Sequence, residues 1–388
     1  MNKFFIVCKK HENLILYFVI LTCFIWISYS NLSIGYIMSS DSNTYSRWAD
    51  DLIRLDFNLY IYYIQNTFGN PNFIYTIPVF LIALIKLLFG TAWQYAFMIF
   101  NLTLVFFSLI IYSKILLLLN IRLLIISITM PLLALSVDLL IWPRYILSDT
   151  VFSFLILLTI YFIIKNIVNK KLSSFSLIFL IILMFLTRPT SLPYIFAIIF
   201  FITILKFNIN FTPKLSLLFI FLLFILTPFI FAILYQLMKN HLNEIYQVKV
   251  LIDWVEAGQI IHDRPETWVK DPDTFFDLVY LYFVRIIFFF KPYFESFSKI
   301  HNILNVFQAF IVLLSISIWF FLGQKYNSIN KTITLILFIS FSVAAFHAFT
   351  IIDYDWRYRY PVIMPLLIIF PISIEIYLRN VGNNKLKY

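Results

Sequence analysis

Charge is what this chain lacks most. Aspartate, glutamate, lysine and arginine together supply 12% of its 388 residues, about half the share of an ordinary soluble domain. With 62% hydrophobic residues, there is too little charge to clothe a water-exposed surface. Glycine is scarce too. Six residues leave no glycine-rich loop to cradle phosphates, which argues against an ATP or nucleotide-sugar site. The two cysteines, Cys8 and Cys23, exclude a disulfide framework and a cysteine-based zinc cluster. Also missing are the ~10-residue alternating segments of a transmembrane barrel. There is no internal repeat, and no inverted half-to-half symmetry of the transporter kind.

What the chain has in abundance is apolar runs near the ~20 residues that cross a bilayer. They predict an all-α polytopic membrane protein, one transmembrane domain over 1–388. Spans are expected at 13–36, 92–112, 123–142, 150–164, 173–187, 190–206, 214–237, 303–322, 332–351 and 360–378. Two further stretches, 73–89 and 275–294, are shorter and broken by charge: Lys86 in the first, Asp277, Arg285 and Lys291 in the second. Each reads as a span or as an interfacial amphipathic helix. The first segment carries Lys3, Lys9 and Lys10 ahead of it and no small-residue cleavage site, so it is expected to remain as an anchor.

The excess of basic residues on inner loops decides between the two readings. With both ambiguous stretches on the outer surface, Lys114, Arg122, Lys165, Lys170, Lys171 and Lys206 fall inside, while Asp41, Asp50, Asp51, Asp149, Asp253, Asp263, Asp353 and Asp355 fall outside. The expectation is therefore about ten spans with both termini cytoplasmic, in an inner (plasma) membrane. Two long outer loops result, 37–91 and 238–302. The formal charge of +10 then orients helices among membrane lipids, and nucleic acid is excluded as a partner.

Chemistry gathers on that outer side. The stretch Ser39-Ser40-Asp41-Ser42-Asn43-Thr44-Tyr45-Ser46-Arg47-Trp48-Ala49 follows the first span directly. As a helix it sets Asp41, Tyr45 and Ala49 along one face. Trp142-Pro143-Arg144 precedes Ser148-Asp149; Thr187-Arg188-Pro189 forms a tight turn; and Asp353-Tyr354-Asp355-Trp356-Arg357-Tyr358-Arg359-Tyr360-Pro361 precedes the last span. His347 lies one turn inside the ninth span. Each has a plainer reading. Arginine snorkels and Trp and Tyr form interfacial belts, Asp149 caps the helix after it, His347 is a core histidine, and Asp138 forms a structural pair inside its span. Taken together, several arginines and at least two carboxylates suit an anionic lipid phosphate, which arginine binds bidentately, and a base for an incoming hydroxyl.

This pattern resembles the GT-C superfamily of integral membrane glycosyltransferases, which includes protein O-mannosyltransferases, lipid A aminoarabinose transferases and bacterial surface-polysaccharide transferases. The resemblance rests on Asp41-x-x-x-Tyr45-x-x-x-Ala49 after the first span, Ser148-Asp149 at the fourth, Arg188-Pro189 after the fifth and Arg357-Tyr358-Arg359-Tyr360-Pro361 before the last. It departs from the family in having a lone first-loop acid and no large soluble C-terminal domain. What it implies is transfer of a sugar from a polyprenyl-phosphate donor to an acceptor hydroxyl on a glycan, lipid or protein, with inversion. Asp41 would be the general base, and Asp149 a second catalytic residue that orients the acceptor or sugar, or tunes Asp41. Arg188, Arg357, Arg359 and Arg144 would hold the donor phosphate. Tyr45, His347 and Tyr358 would line the substrate. The scheme needs no cofactor or metal; the outer acids are able to take a divalent cation, but no ligand spacing points to one. Two other readings stand beside it: a flippase for lipid-linked sugars, and a surface-polysaccharide polymerase or ligase working through His262 and Arg264 in 238–302.

Overall fold

The computed structural model describes residues 2–66, 72–169, 174–207, 209–242, 244–352 and 357–385. Asp353, Tyr354, Asp355, Trp356, Lys170 and Lys171 lie outside the described residues. Within them the chain is helical, and the only extended pairings are two isolated bridges, Ile37 with Tyr145 and Ile261 with Ile352. The helices run α1 (Asn2–Leu32), α2 (Ser40–Arg54), α3 (Leu59–Asn66), α4 (Thr76–Phe89) and α5 (Trp93–Leu118). Then come α6 (Leu123–Ala134), α7 (Val137–Ile141), α8 (Asp149–Asn169), α9 (Ser174–Phe185), α10 (Leu192–Lys206) and α11 (Pro213–His241). Last are α12 (Tyr246–Glu256), α13 (Phe275–Phe290), α14 (Lys299–Leu322), α15 (Asn327–Phe349) and α16 (Tyr360–Lys385).

Among the described residues eight helical runs are long and apolar enough to cross a bilayer, which makes this a multi-pass membrane protein. They include α1, the run through α4 and α5, α8, α10, α11, α14, α15 and α16. The span expected at 123–142 is instead two pieces, α6 and the stretch from α7 to Arg144, bent by 59°. The reason is local. Ser136 is extended, with φ −61° and ψ 123°, so the ladder stops there. A broken helix at membrane depth needs its freed backbone groups satisfied by protein. Asn31 of α1 donates to Leu139 O, and Asn101 of α5 donates to Pro143 O and Tyr145 O. Trp142 Nε1 donates to Asp138, the structural partner expected for that intramembrane acid. The stretch expected at 173–187 is the 12-residue helix α9, shorter than the other spans.

The chain forms two compact units. The first comprises residues 1–195, 307–322 and 360–388. In it α2 lies against α4. Tyr45, Ala49 and Leu52 on one helix pack with Val79, Ile82 and Ala83 on the other. Lys86 fastens the pair by donating to Ser46 O, Ser46 Oγ and Asp50 Oδ1. Gly90, at φ +52°, ends α4 where an L side chain is strained. At ~1.5 Å per residue α4 reaches ~21 Å, short of the ~30 Å hydrocarbon layer.

The second unit comprises residues 196–306 and 323–359. Here α13 packs with α11 and α15. Arg285 of α13 is fully buried, yet it donates to Gln259 O, Ala348 O and Thr350 O. Those carbonyls satisfy a charge that would otherwise be costly to bury. A Thr274–Asp277 capping box starts α13. Direct hydrogen bonds from Thr274 hold the exposed Asp277 carboxyl below its ordinary range. Gly258, at φ +59°, has no room for a side chain, since a Cβ there would collide with the Val269 carbonyl oxygen.

Candidate functional site

The loop leaving α1 is held by a short parallel pairing. Ile37 N donates to Arg144 O, and Ile146 N donates to Ile37 O. This sets the start of α2 beside the start of α8, although more than a hundred residues separate them in sequence. Ser39 caps α2 through a reciprocal box with Ser42. The cap fixes Asp41 in the first turn, where the helix N-terminus favours a carboxylate. Asp41 is half-buried. The face read from the sequence exists: Tyr45 and Ala49, one and two turns on, are buried.

Asp149 opens α8 and is 2% exposed; Arg188, in the turn before α10, is 6% exposed. Arg188 Nη1 donates to Asp149 Oδ1 in a direct ion pair, and its guanidinium lies 5.7 Å from the centre of the Phe152 ring. Tyr194 meets Phe152 edge-on at 5.0 Å. Tyr194 Oη is buried and has no hydrogen-bond partner among the described residues, and the same holds for Ser191 Oγ.

Tyr45 ties these groups together. Burial pushes its phenol well above the ordinary value of 10.0, and the charges of Tyr75, Arg188, Asp41 and Asp149 all act on it. Arg188 draws it down while the two aspartates push it up. Asp41, Tyr45, Asp149 and Arg188 therefore share one neighbourhood inside the first unit. Its wall is aromatic: Tyr45, Trp48 and Tyr75 rings lie 5.3–6.0 Å apart. Arg144 is joined to the same turn through its carbonyl; its side chain is half-buried, and Nε has no partner among the described residues.

The remaining expected residues gather in the second unit. His347, near the end of α15, is sandwiched between Tyr358 at 4.5 Å and Phe289 at 5.7 Å, both nearly parallel to it. Arg357 lies 5.2 Å from the Tyr358 ring and reaches its hydroxyl. Arg359 is buried and donates to Lys291 O. His262 stacks edge-on with Trp254 and contacts Asp263, and Arg264 binds Ser296 Oγ.

Sequence reasoning missed Tyr194, Tyr75 and Trp48. In an aromatic-rich membrane chain a single Tyr or Trp near a helix end carries no distinguishing signal. Tyr194 differs only in an unmet hydroxyl, which is visible in three dimensions alone. No family model, curated protein or solved structure matches the chain.

Proposed function

We propose that the protein is a membrane glycosyltransferase moving a sugar from a polyprenyl-phosphate donor to an acceptor hydroxyl, with inversion, on the outer, periplasmic side of an inner membrane. The observation that carries this reading is the pairing of Ile37 with Tyr145, which sets the start of α2, bearing Asp41, beside the start of α8, where Asp149 holds the buried Arg188. A half-buried carboxylate with an arginine in the same polar neighbourhood has the two charges that such a transfer uses.

In this scheme the acceptor oxygen attacks the anomeric carbon as Asp41 takes its proton. The bond from that carbon to the phosphate oxygen breaks, and the electron pair leaves with the polyprenyl phosphate. Positive charge fixed beside the leaving oxygen lowers the barrier. Arg188 supplies it, with Arg144 behind it. Asp149 acts by holding Arg188 in place rather than by moving a proton. Arg357 and Arg359, with His347 and Tyr358, are assigned to lipid phosphate and substrate as a separate part of the proposal. No cofactor enters, because the donor already carries its leaving group.

The test is incubation of the purified protein with polyprenyl-phosphate sugars and detection of freed polyprenyl phosphate. Release by wild type and none by Asp41→Asn supports the reading. Full turnover by Asp41→Asn, with loss on changing Arg264 or His262, turns it toward a polymerase or ligase.

A further inference from the structure

The second unit carries an open, apolar groove of about 480 Å³. It is lined by Phe224 near the middle of α11, Phe341 of α15, and Ile286, Ile287 and Phe290 on the last turn of α13. Lys291 and Pro292 close one end. α11 and α15 are both long enough to cross the bilayer, so the apolar part of the groove lies at hydrocarbon depth. Phe289, two residues before Lys291, stacks on His347 near the end of α15, which places the Lys291 end toward the rim.

Lys291 is the informative residue. Its ammonium lies 4.6 Å from the Phe288 ring centre and 5.5 Å from that of Phe294. Among the described residues it has no carboxylate partner. Two more cations crowd the same turn. Arg359 donates to Lys291 O, and Arg264 lies 4.7 Å from the Phe294 ring while donating to Ser296 Oγ. Two acids among the described residues lie nearby. Glu266 is 3.8 Å from Arg264 and largely exposed, and Glu295 is exposed in the same turn. The outcome is a chain-width apolar trough ending at a cation that has no carboxylate partner among the described residues, the complement of an anionic amphiphile.

We infer that this groove is a binding site for an anionic phospholipid of the surrounding bilayer, one acyl chain along Phe224, Ile287 and Phe341 and the phosphate at Lys291. The aromatic faces around the ammonium hold it without discharging it, since a ring quadrupole attracts a cation and leaves its charge intact. A bilayer lipid suits the site because it lies open along spanning helices, where lipid is present at the highest concentration of any amphiphile. The inference is independent of sugar transfer.

Native mass spectrometry of the full-length protein, titrated with dioleoyl phosphatidylglycerol or dioleoyl phosphatidylcholine, tests it. Wild type is expected to favour the anionic lipid by about fivefold, the effect of one lysine near a membrane surface. Lys291→Gln should erase that preference and Lys291→Arg keep it. Ile287→Trp, at an exposed groove position, should lower uptake of both lipids. Equal binding of the two lipids by wild type overturns the inference. So does a preference that survives Lys291→Gln, or unchanged uptake in Ile287→Trp. Displacement of phosphatidylglycerol one for one by a polyprenyl phosphate would also overturn it, by giving the groove to a different lipid.

Discussion

Asp149 and Arg188, thirty-nine residues apart, close an ion pair that water scarcely reaches. Such a pair is asymmetric in its energetics. Removing one member strands a charge in a poor dielectric and costs ~3–5 kcal/mol, whereas replacing both with apolar groups of similar size is often neutral. Arg188→Met alone should therefore lower the thermal midpoint of the detergent-solubilised protein sharply. Asp149→Leu combined with Arg188→Met should recover most of it. If the double variant is as unstable as the single, the pair is not the isolated unit described.

Asp41 is expected to behave in the opposite way. It is half-buried in the first turn of α2, behind the Ser39 cap. Asp41→Asn keeps the size and shape of the side chain, so the thermal midpoint should move far less than on breaking the buried pair. Sugar transfer should fall by about 10²–10⁴-fold, the usual contribution of a general base. Differential scanning fluorimetry and the polyprenyl phosphate release assay measure the two separately.

Tyr45 makes a prediction about alkaline pH. Its phenol ionises with more difficulty in the folded chain than the ordinary value of 10.0. The folded state therefore binds the proton more tightly than the unfolded state does. Stability from this source is complete below pH 10.0 and declines as pH rises above it. Tyr45→Phe should flatten the alkaline limb of a melting-temperature profile while leaving the neutral plateau near its original height. An unaltered limb assigns the alkaline loss to other groups.

Gly258→Ala should be among the most damaging small substitutions. The new methyl meets the Val269 carbonyl, a backbone atom that cannot swing aside, at a φ that disfavours any side chain. A residue forced into sparsely populated backbone space costs ~1–3 kcal/mol before the clash is counted. Gly35→Ala is the control. Gly35 also has positive φ, but its Cβ would meet nothing within 4 Å. Its variant should lose less by chemical denaturation, and equal losses would remove the clash from the explanation.

The parts legible in the sequence were those written in local patterns. The all-helical, multi-pass fold, the Asp41–Tyr45–Ala49 face and the pairing of Asp138 all follow from spacing and composition. What was not legible depends on partners distant along the chain. The motif containing Arg188 is plain, but nothing in it says that the guanidinium is committed to Asp149. The break at Ser136 is hidden because residues 123–142 read as one apolar run. Asn31 and Asn101, on two other helices, satisfy carbonyls of the piece beyond the break. Charge inside 73–89 and 275–294 was the right signal to notice. Lys86 proves to be a clasp between α2 and α4, and Arg285 a bracket for four carbonyls at the C-terminal ends of α12 and α15.

The Ile37–Tyr145 bridge makes the stretch after α1 a dependent part. Two backbone hydrogen bonds set its register against a segment encoded far downstream, so the aspartate's address is written in two places. A graft that carried residues 37–91 into another scaffold without its matching 142–149 strip would transplant the acid and lose its bearings.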